Sequence, residues 1–129
     1  MSAWETRSTA PYTIITKPVS ALCNLACHYC YYSRVMEMYP DPSDRVMSDA
    51  VLETFTRQTI KDSGGRAIFA WQGGEPLLAG LEFFRKALEV QRRYTPPGHV
   101  CMNTIQTNGT LIDDEWAAFL AEHGFLVGV

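Results

Sequence analysis

The chain has 129 residues, of which 47% are hydrophobic and 12% aromatic. That is enough apolar material for a globular core and excludes a low-complexity or disordered polypeptide. The formal net charge of −3, with no Lys/Arg cluster, leaves no electrostatic footprint for nucleic acid or an anionic membrane.

The opening "MSAWETRSTAPY" lacks the apolar h-region of a secretory signal. No run approaches the roughly 18 apolar residues of a membrane span. Residues 1–11 are expected to form an N-terminal tail, and the chain is expected in the cytoplasm. Thiols stay reduced there, so clustered cysteines point to metal or redox chemistry rather than disulfides.

"YTIITKPVS", residues 12–20, is rich in β-branched residues and predicts a strand that runs into a loop at Pro18. The segment "CNLACHYC", residues 23–30, follows, and "YPDPSDR", residues 39–45, reads as loop. Ser48 can cap a helix with Val51, Leu52, Phe55 and Thr59 on one face, and "SGG" at 63–65 ends it. "RAIFAW", residues 66–71, predicts a short apolar strand leading into "QGGEP", residues 72–76. A second helix is expected over 80–94, where Leu81, Phe84 and Leu88 recur at helical spacing before "TPPG" breaks the pattern. "HVCMNTIQ", residues 99–106, predicts a third strand, followed by "TNG". Asp113 can cap a third helix with Trp116, Phe119 and Leu120 on one face, and Gly124 suits its C′ position. "FLVGV", residues 125–129, predicts a fourth strand.

This alternation argues for parallel βα units, and the apolar strands suggest a sheet buried on both faces. In such sheets ligands bind at the carboxyl ends of the strands. Each of the first three strands is followed by an unusual segment, so the three segments are expected to share one rim.

Three thiolates favour a soft metal. Structural zinc needs four ligands, of which C-x3-C-x2-C supplies three and His28 would be the fourth. A 4Fe-4S cluster held by three cysteines leaves one iron open to a small ligand. Ligand counting favours the cluster, with zinc and ordinary packing left open. Cys101, 71 residues beyond Cys30, is expected to be a buried strand residue rather than a ligand. The glycines of "QGGEP" either let backbone approach a ligand or make a tight turn. Glu75 is then a ligand-side group or a helix-start carboxylate. Gln106 and Asn108 either line a pocket or satisfy loop backbone. Tyr29, Tyr31 and Tyr32 offer a flat ligand a surface, or are partly buried for packing alone. His99 and His123 are expected at the surface.

The C-x3-C-x2-C spacing, with Tyr29 before the last cysteine, resembles the radical S-adenosylmethionine (SAM) superfamily. "KPVSALCNLACHYCYY", "WQGGEPLLAGLEFF" and "IQTNGTLIDDEWAAFLAEHGFLVGV" together are similar to the anaerobic sulfatase-maturating enzymes, from about residue 14 onward. The resemblance implies an α/β fold: the first three and a half βα units of a partial (β/α)6 TIM-like barrel, over residues 12–129. It implies that Cys23, Cys27 and Cys30 ligate a 4Fe-4S cluster whose fourth iron chelates S-adenosyl-L-methionine. Tyr29 would contact the adenine. Gly73 and Gly74, with Glu75 nearby, would meet the methionyl amino group through backbone. Tyr32, Gln72 and Gln106 would face a peptide substrate.

The implied reaction starts with an electron from a donor such as flavodoxin or ferredoxin. Cleavage of SAM gives a 5′-deoxyadenosyl radical, which takes a hydrogen from Cβ of a cysteine or serine in a sulfatase polypeptide. Oxidation then yields Cα-formylglycine. The Ser-x-Asp-Gly segment, the presumed catalytic base and the auxiliary-cluster cysteines of the family are not among these 129 residues. The chain is therefore expected to be a truncated portion that does not turn over alone. The alternatives are a radical SAM maturase of another peptide, a non-catalytic metal-binding module and an inactive truncated product.

Overall fold

The structure, a computed structural model, describes residues 12–38, 41 and 45–129. The expected tail and most of the loop at 39–45 lie outside the described residues. The main elements are β1 (Thr13–Thr16), α1 (Asp49–Asp62), β2 (Arg66–Trp71), α2 (Leu81–Tyr94), β3 (Val100–Gln106), α3 (Asp114–Glu122) and β4 (Leu126–Gly128). Local chemistry sets the helix ends. Ser48 Oγ accepts the Val51 N–H at 3.3 Å, and Asp113 Oδ1 accepts the Trp116 N–H at 2.8 Å. Gly124 takes φ +63° just past α3, where a Cβ would be strained.

The strands make one parallel sheet in the order β1-β2-β3-β4. In such a sequential order, crossovers of one hand bring every helix to the same side. Register sets Phe69 and Trp71 of β2 beside Asn103 and Ile105 of β3. Phe69, Trp71 and Ile105 form the core with Leu52 and Ile60 of α1, Phe84 and Ala87 of α2, and Trp116, Phe119 and Leu120 of α3. Trp71 has no exposed surface and stands edge-on to Phe83 and Phe84, with ring centroids 5.8 and 5.4 Å away. Its Nε1–H donates to Asn103 Oδ1 at 2.9 Å. Gln91 completes that buried polar group through paired amide bonds to Asn103 of 2.9 and 2.8 Å.

One expectation fails. The sheet is covered by helices on one face only, among the described residues. On the other face Ile15 is 58%, Met102 40% and Leu126 71% exposed. The strands are apolar on both sides, but same-handed crossovers in sequential order supply helices to one side alone. Val51 also turns outward, and Thr56 joins Leu52, Thr59 and Ile60 on the buried face of α1.

Because the strands are parallel, the segments after Thr16, Trp71 and Gln106 leave from one edge. The ladder runs on into them: the Gln72 N–H donates to Thr16 O at 2.8 Å and the Thr107 N–H to Gly128 O at 3.0 Å. Among the described residues no helix is long and apolar enough to cross a membrane.

Trp71→Ala should lower unfolding stability by about 3–5 kcal/mol, because it empties the middle of the aromatic core and removes a partner of Asn103. Urea unfolding measures this, and a loss below about 1 kcal/mol would contradict the central place given to Trp71.

Candidate functional site

The segment after β1 begins with a turn, where the Ser20 N–H donates to Lys17 O at 3.2 Å and the Leu22 N–H to Val19 O at 3.0 Å. Ser20 is the one non-glycine with positive φ, +54°, among the described residues. Its carbonyl accepts the Gly74 N–H at 3.0 Å, and the Leu22 carbonyl accepts the Glu75 N–H at 2.7 Å. The glycine pair is therefore explained by backbone meeting backbone. A Cβ on Gly74 would overlap the carbonyl oxygens of Ala21 and Leu22, and one on Gly73 (φ +119°) would overlap that of Ser20. Among the described residues no hydrogen bond takes up the carbonyl oxygens of Gly73 or Gly74.

Glu75 precedes a 3-10 turn, Pro76–Ala79, but its side chain makes no capping bond. The helix-start alternative is set aside by what the carboxylate does instead. It is fully buried, with the Thr107 hydroxyl 2.5 and 2.7 Å from its two oxygens and the Asn108 N–H donating to Oε1 at 3.3 Å. Burial pushes its pKa up, while the bonds from Thr107 and Asn108 pull it down; the net direction is up. Backbone on one side and carboxylate on the other thus join the segments after β1, β2 and β3.

The cysteines occupy the outer part of the first segment. Cys23, Cys27 and Cys30 are half-buried and free of disulfides. Among the described residues no three His, Cys, Asp or Glu side chains are gathered closely enough to hold a metal ion. Few bonds oppose a closing of the segment: within 23–30 the only backbone bond is Cys30 N–H to Cys27 O, 3.1 Å. Cys23 Sγ receives the Leu25 N–H at 3.4 Å and lies 3.7 Å from Asn108 Nδ2. His28 is exposed. The Tyr29 ring is 91% exposed. Its hydroxyl pKa is raised, first by a hydrogen bond to Cys27, then by the charge of Cys27, by desolvation and by the charge of Cys30.

Strand alternation places Gln72 and Gln106 on the sheet face opposite the helices, following the inward Trp71 and Ile105. Tyr32 approaches that side, its ring 4.3 Å from Lys17 Nζ. Cys101 lies near the amino end of β3, away from this rim, half-buried with its thiol 3.1 Å from Thr95 Oγ1. Burial raises its pKa. Nothing in the sequence marks Thr107, Asn24 or Thr110 as site residues beyond their place in the strings "CNL" and "QTNGT".

The sequence matches the Radical SAM superfamily over residues 18–129. The chain belongs to the radical SAM superfamily. It is 49% identical, over 98% of its length, to the serine-type anaerobic sulfatase-maturating enzyme of Klebsiella pneumoniae. It is 45% identical, over 92%, to the cysteine-type enzyme of Clostridium perfringens. A solved structure described as native anSMEcpe with bound AdoMet and Cp18Cys peptide superposes with a TM-score of 0.81 at 45% identity, over 93% of this chain and 31% of the other. This radical SAM chain spans about a third of the length of these relatives, 32% of both enzymes.

The residues present suit the superfamily's cofactors. Three reduced thiols with the C-x3-C-x2-C spacing form a soft donor set, and free carbonyls at Gly73 and Gly74 suit an ammonium donor.

A carboxyl whose pKa rises on folding binds more protons folded than unfolded. The stability this contributes is complete below the unfolded value of about 4.3 and is lost as pH climbs through the folded value. Replacing Glu75 with Gln should flatten that decline, leaving the variant at least as stable as the parent near pH 7. Urea unfolding across this range tests it; a Gln variant that loses more stability near neutrality than in acid contradicts the assignment.

Proposed function

We propose that the chain is the cluster- and AdoMet-binding part of an enzyme that oxidises a cysteine or serine of a sulfatase to Cα-formylglycine. The observation that carries this is the identity of 45–49% to both enzyme types along nearly the whole chain, over a rim where the cysteine segment abuts "QGGEP". Cys23, Cys27 and Cys30 would hold a 4Fe-4S cluster. The carbonyls of Gly73 and Gly74 would accept the amino group of S-adenosylmethionine, and Tyr29, with its ring exposed, would contact the adenine. When bound, cluster and AdoMet supply a one-electron reductive cleavage able to remove a hydrogen from carbon.

The remaining work falls to the polypeptide. Glu75 ties the "QGGEP" backbone to the cysteine segment through its N–H and to the segment after β3 through its carboxylate, so its contribution to cofactor binding would be made through the loops. Tyr32, Gln72 and Gln106, on the helix-free side of the sheet, would receive the sulfatase peptide. The external electron would come from a flavodoxin- or ferredoxin-like donor, and the reduced thiols suit a cytoplasmic setting.

Anaerobic reconstitution should give about four iron and four sulfide per chain, and Cys27→Ala should remove nearly all of it. Cys101→Ala should leave the iron unchanged. One zinc and a colourless protein would defeat the proposal. With the whole enzyme, mass spectrometry of a sulfatase peptide should show formylglycine at its cysteine or serine. AdoMet cleavage with that residue untouched would move the assignment to a maturase of another peptide.

A further inference from the structure

We propose that Asn108 is a positioning residue for Cys23: its side-chain N–H donates to the Cys23 sulfur and raises the electron affinity of a cluster held there. The proposal rests on Cys23 being a cluster ligand.

The orientation of the Asn108 amide is decided by its neighbours. Its Oδ1 accepts the Thr110 N–H at 3.0 Å and the Thr110 hydroxyl at 2.7 Å. A backbone N–H can only donate, so the atom it meets is the oxygen, and a flipped amide would set donor against donor. The Nδ2 is thereby turned the other way, donating to Asn24 Oδ1 at 2.9 Å with Cys23 Sγ at 3.7 Å. Asn24 Nδ2 in turn donates to Thr110 Oγ1 at 2.9 Å. Asn108, Asn24 and Thr110 form a closed ring of three side-chain bonds, and one Nδ2 hydrogen of Asn108 is left for the sulfur.

The support continues below the ring. The Asn108 N–H is held by the buried Glu75, and the Gly109 N–H by Thr107 Oγ1 at 3.1 Å. None of these bonds involves the thiol, so the donor is set in place independently of what the sulfur binds. Negative charge on a ligating thiolate grows when its cluster gains an electron, and an N–H aimed at the sulfur favours that reduced state. A bond of this kind is charge-assisted and stronger than a neutral one.

The test replaces Asn108 with Leu, which keeps the bulk and removes the donor. Parent and variant are reconstituted anaerobically without AdoMet, assayed for iron and sulfide, and reduced stepwise under EPR observation. Metal content should match, and the ratio of reduced to oxidised cluster at a fixed potential should fall about tenfold, ~59 mV for one electron. A full cluster with an unchanged midpoint would overturn the proposal. Should the Leu variant fail to load, the Asn24→Asp protein grown with heavy nitrogen only in asparagine side chains decides. Of its two labelled amides, Asn103 is bonded inside the core to Trp71 and Gln91. Pulsed EPR should then show a weak nitrogen coupling from Asn108, and its absence overturns the proposal. A parent protein that takes up no iron is a different result, since it removes the ligand assignment before any variant is compared.

Discussion

Glu75 has no exposed surface, and a hydroxyl and a backbone N–H stand where water would otherwise solvate its carboxylate. Desolvation disfavours the charge and the two donors favour it, and the bonds from Thr107 and Asn108 hold the side chain in place. The rim depends on that placement. From one residue, the backbone N–H reaches the segment after β1 and the carboxylate reaches the segment after β3. Where the ladder bonds of Gln72 and Thr107 end, the backbone bonds of Gly74 and Glu75 and the Glu75 carboxylate fix the spacing of the segments. Thr107 serves twice, since its oxygen also accepts the Gly109 N–H and so shapes the turn that presents Asn108.

Order falls off outward from this point. At the base, Gly73 and Gly74 lie so close to residues 20–22 that no side chain fits between, and Ser20 accepts a positive φ to keep its carbonyl on the Gly74 N–H. One step out, Cys23 and Asn24 are held by side-chain bonds to Asn108 and Thr110. Beyond them, Leu25 to Tyr29 have little besides local contacts among the described bonds. Under the proposed function, binding a cluster would be coupled to local folding, with Cys23 set by the base and Cys27 and Cys30 brought in from the tip.

The sequence showed the elements well and their surroundings less well. β2 spans residues 66–71 as expected, and Ser48 and Asp113 cap their helices, because strand composition and capping are local properties. The covered face was not local. Ile15, Met102 and Leu126 are as apolar as a core strand requires, yet which side receives helices depends on strand order. The cysteines were evident from their spacing alone. Their supports were not, since Asn108 and Cys23 lie 85 residues apart and Thr107 and Glu75 lie 32 apart. A polar residue in a loop carries no mark of its partner until the topology brings two strand ends together.

Similarity to serine-type and cysteine-type relatives is nearly equal, 49% and 45%, and this bears on what the rim does under the proposed function. The two substrates differ in the atom on Cβ, oxygen or sulfur, but both begin with a hydrogen on that carbon. Residues that hold the cofactors serve the step the two reactions share, and have no reason to distinguish the heteroatom. Glu75, the glycine pair and the Asn108 ring bond to loop backbone, to one another's side chains and to Cys23. Under the proposed function, the groups that would meet the atom on Cβ are those on the helix-free side of the sheet, Tyr32, Gln72 and Gln106. Specificity and radical generation would thus be divided between the two sides of one short edge, so that the peptide side could vary while the cofactor side stayed fixed.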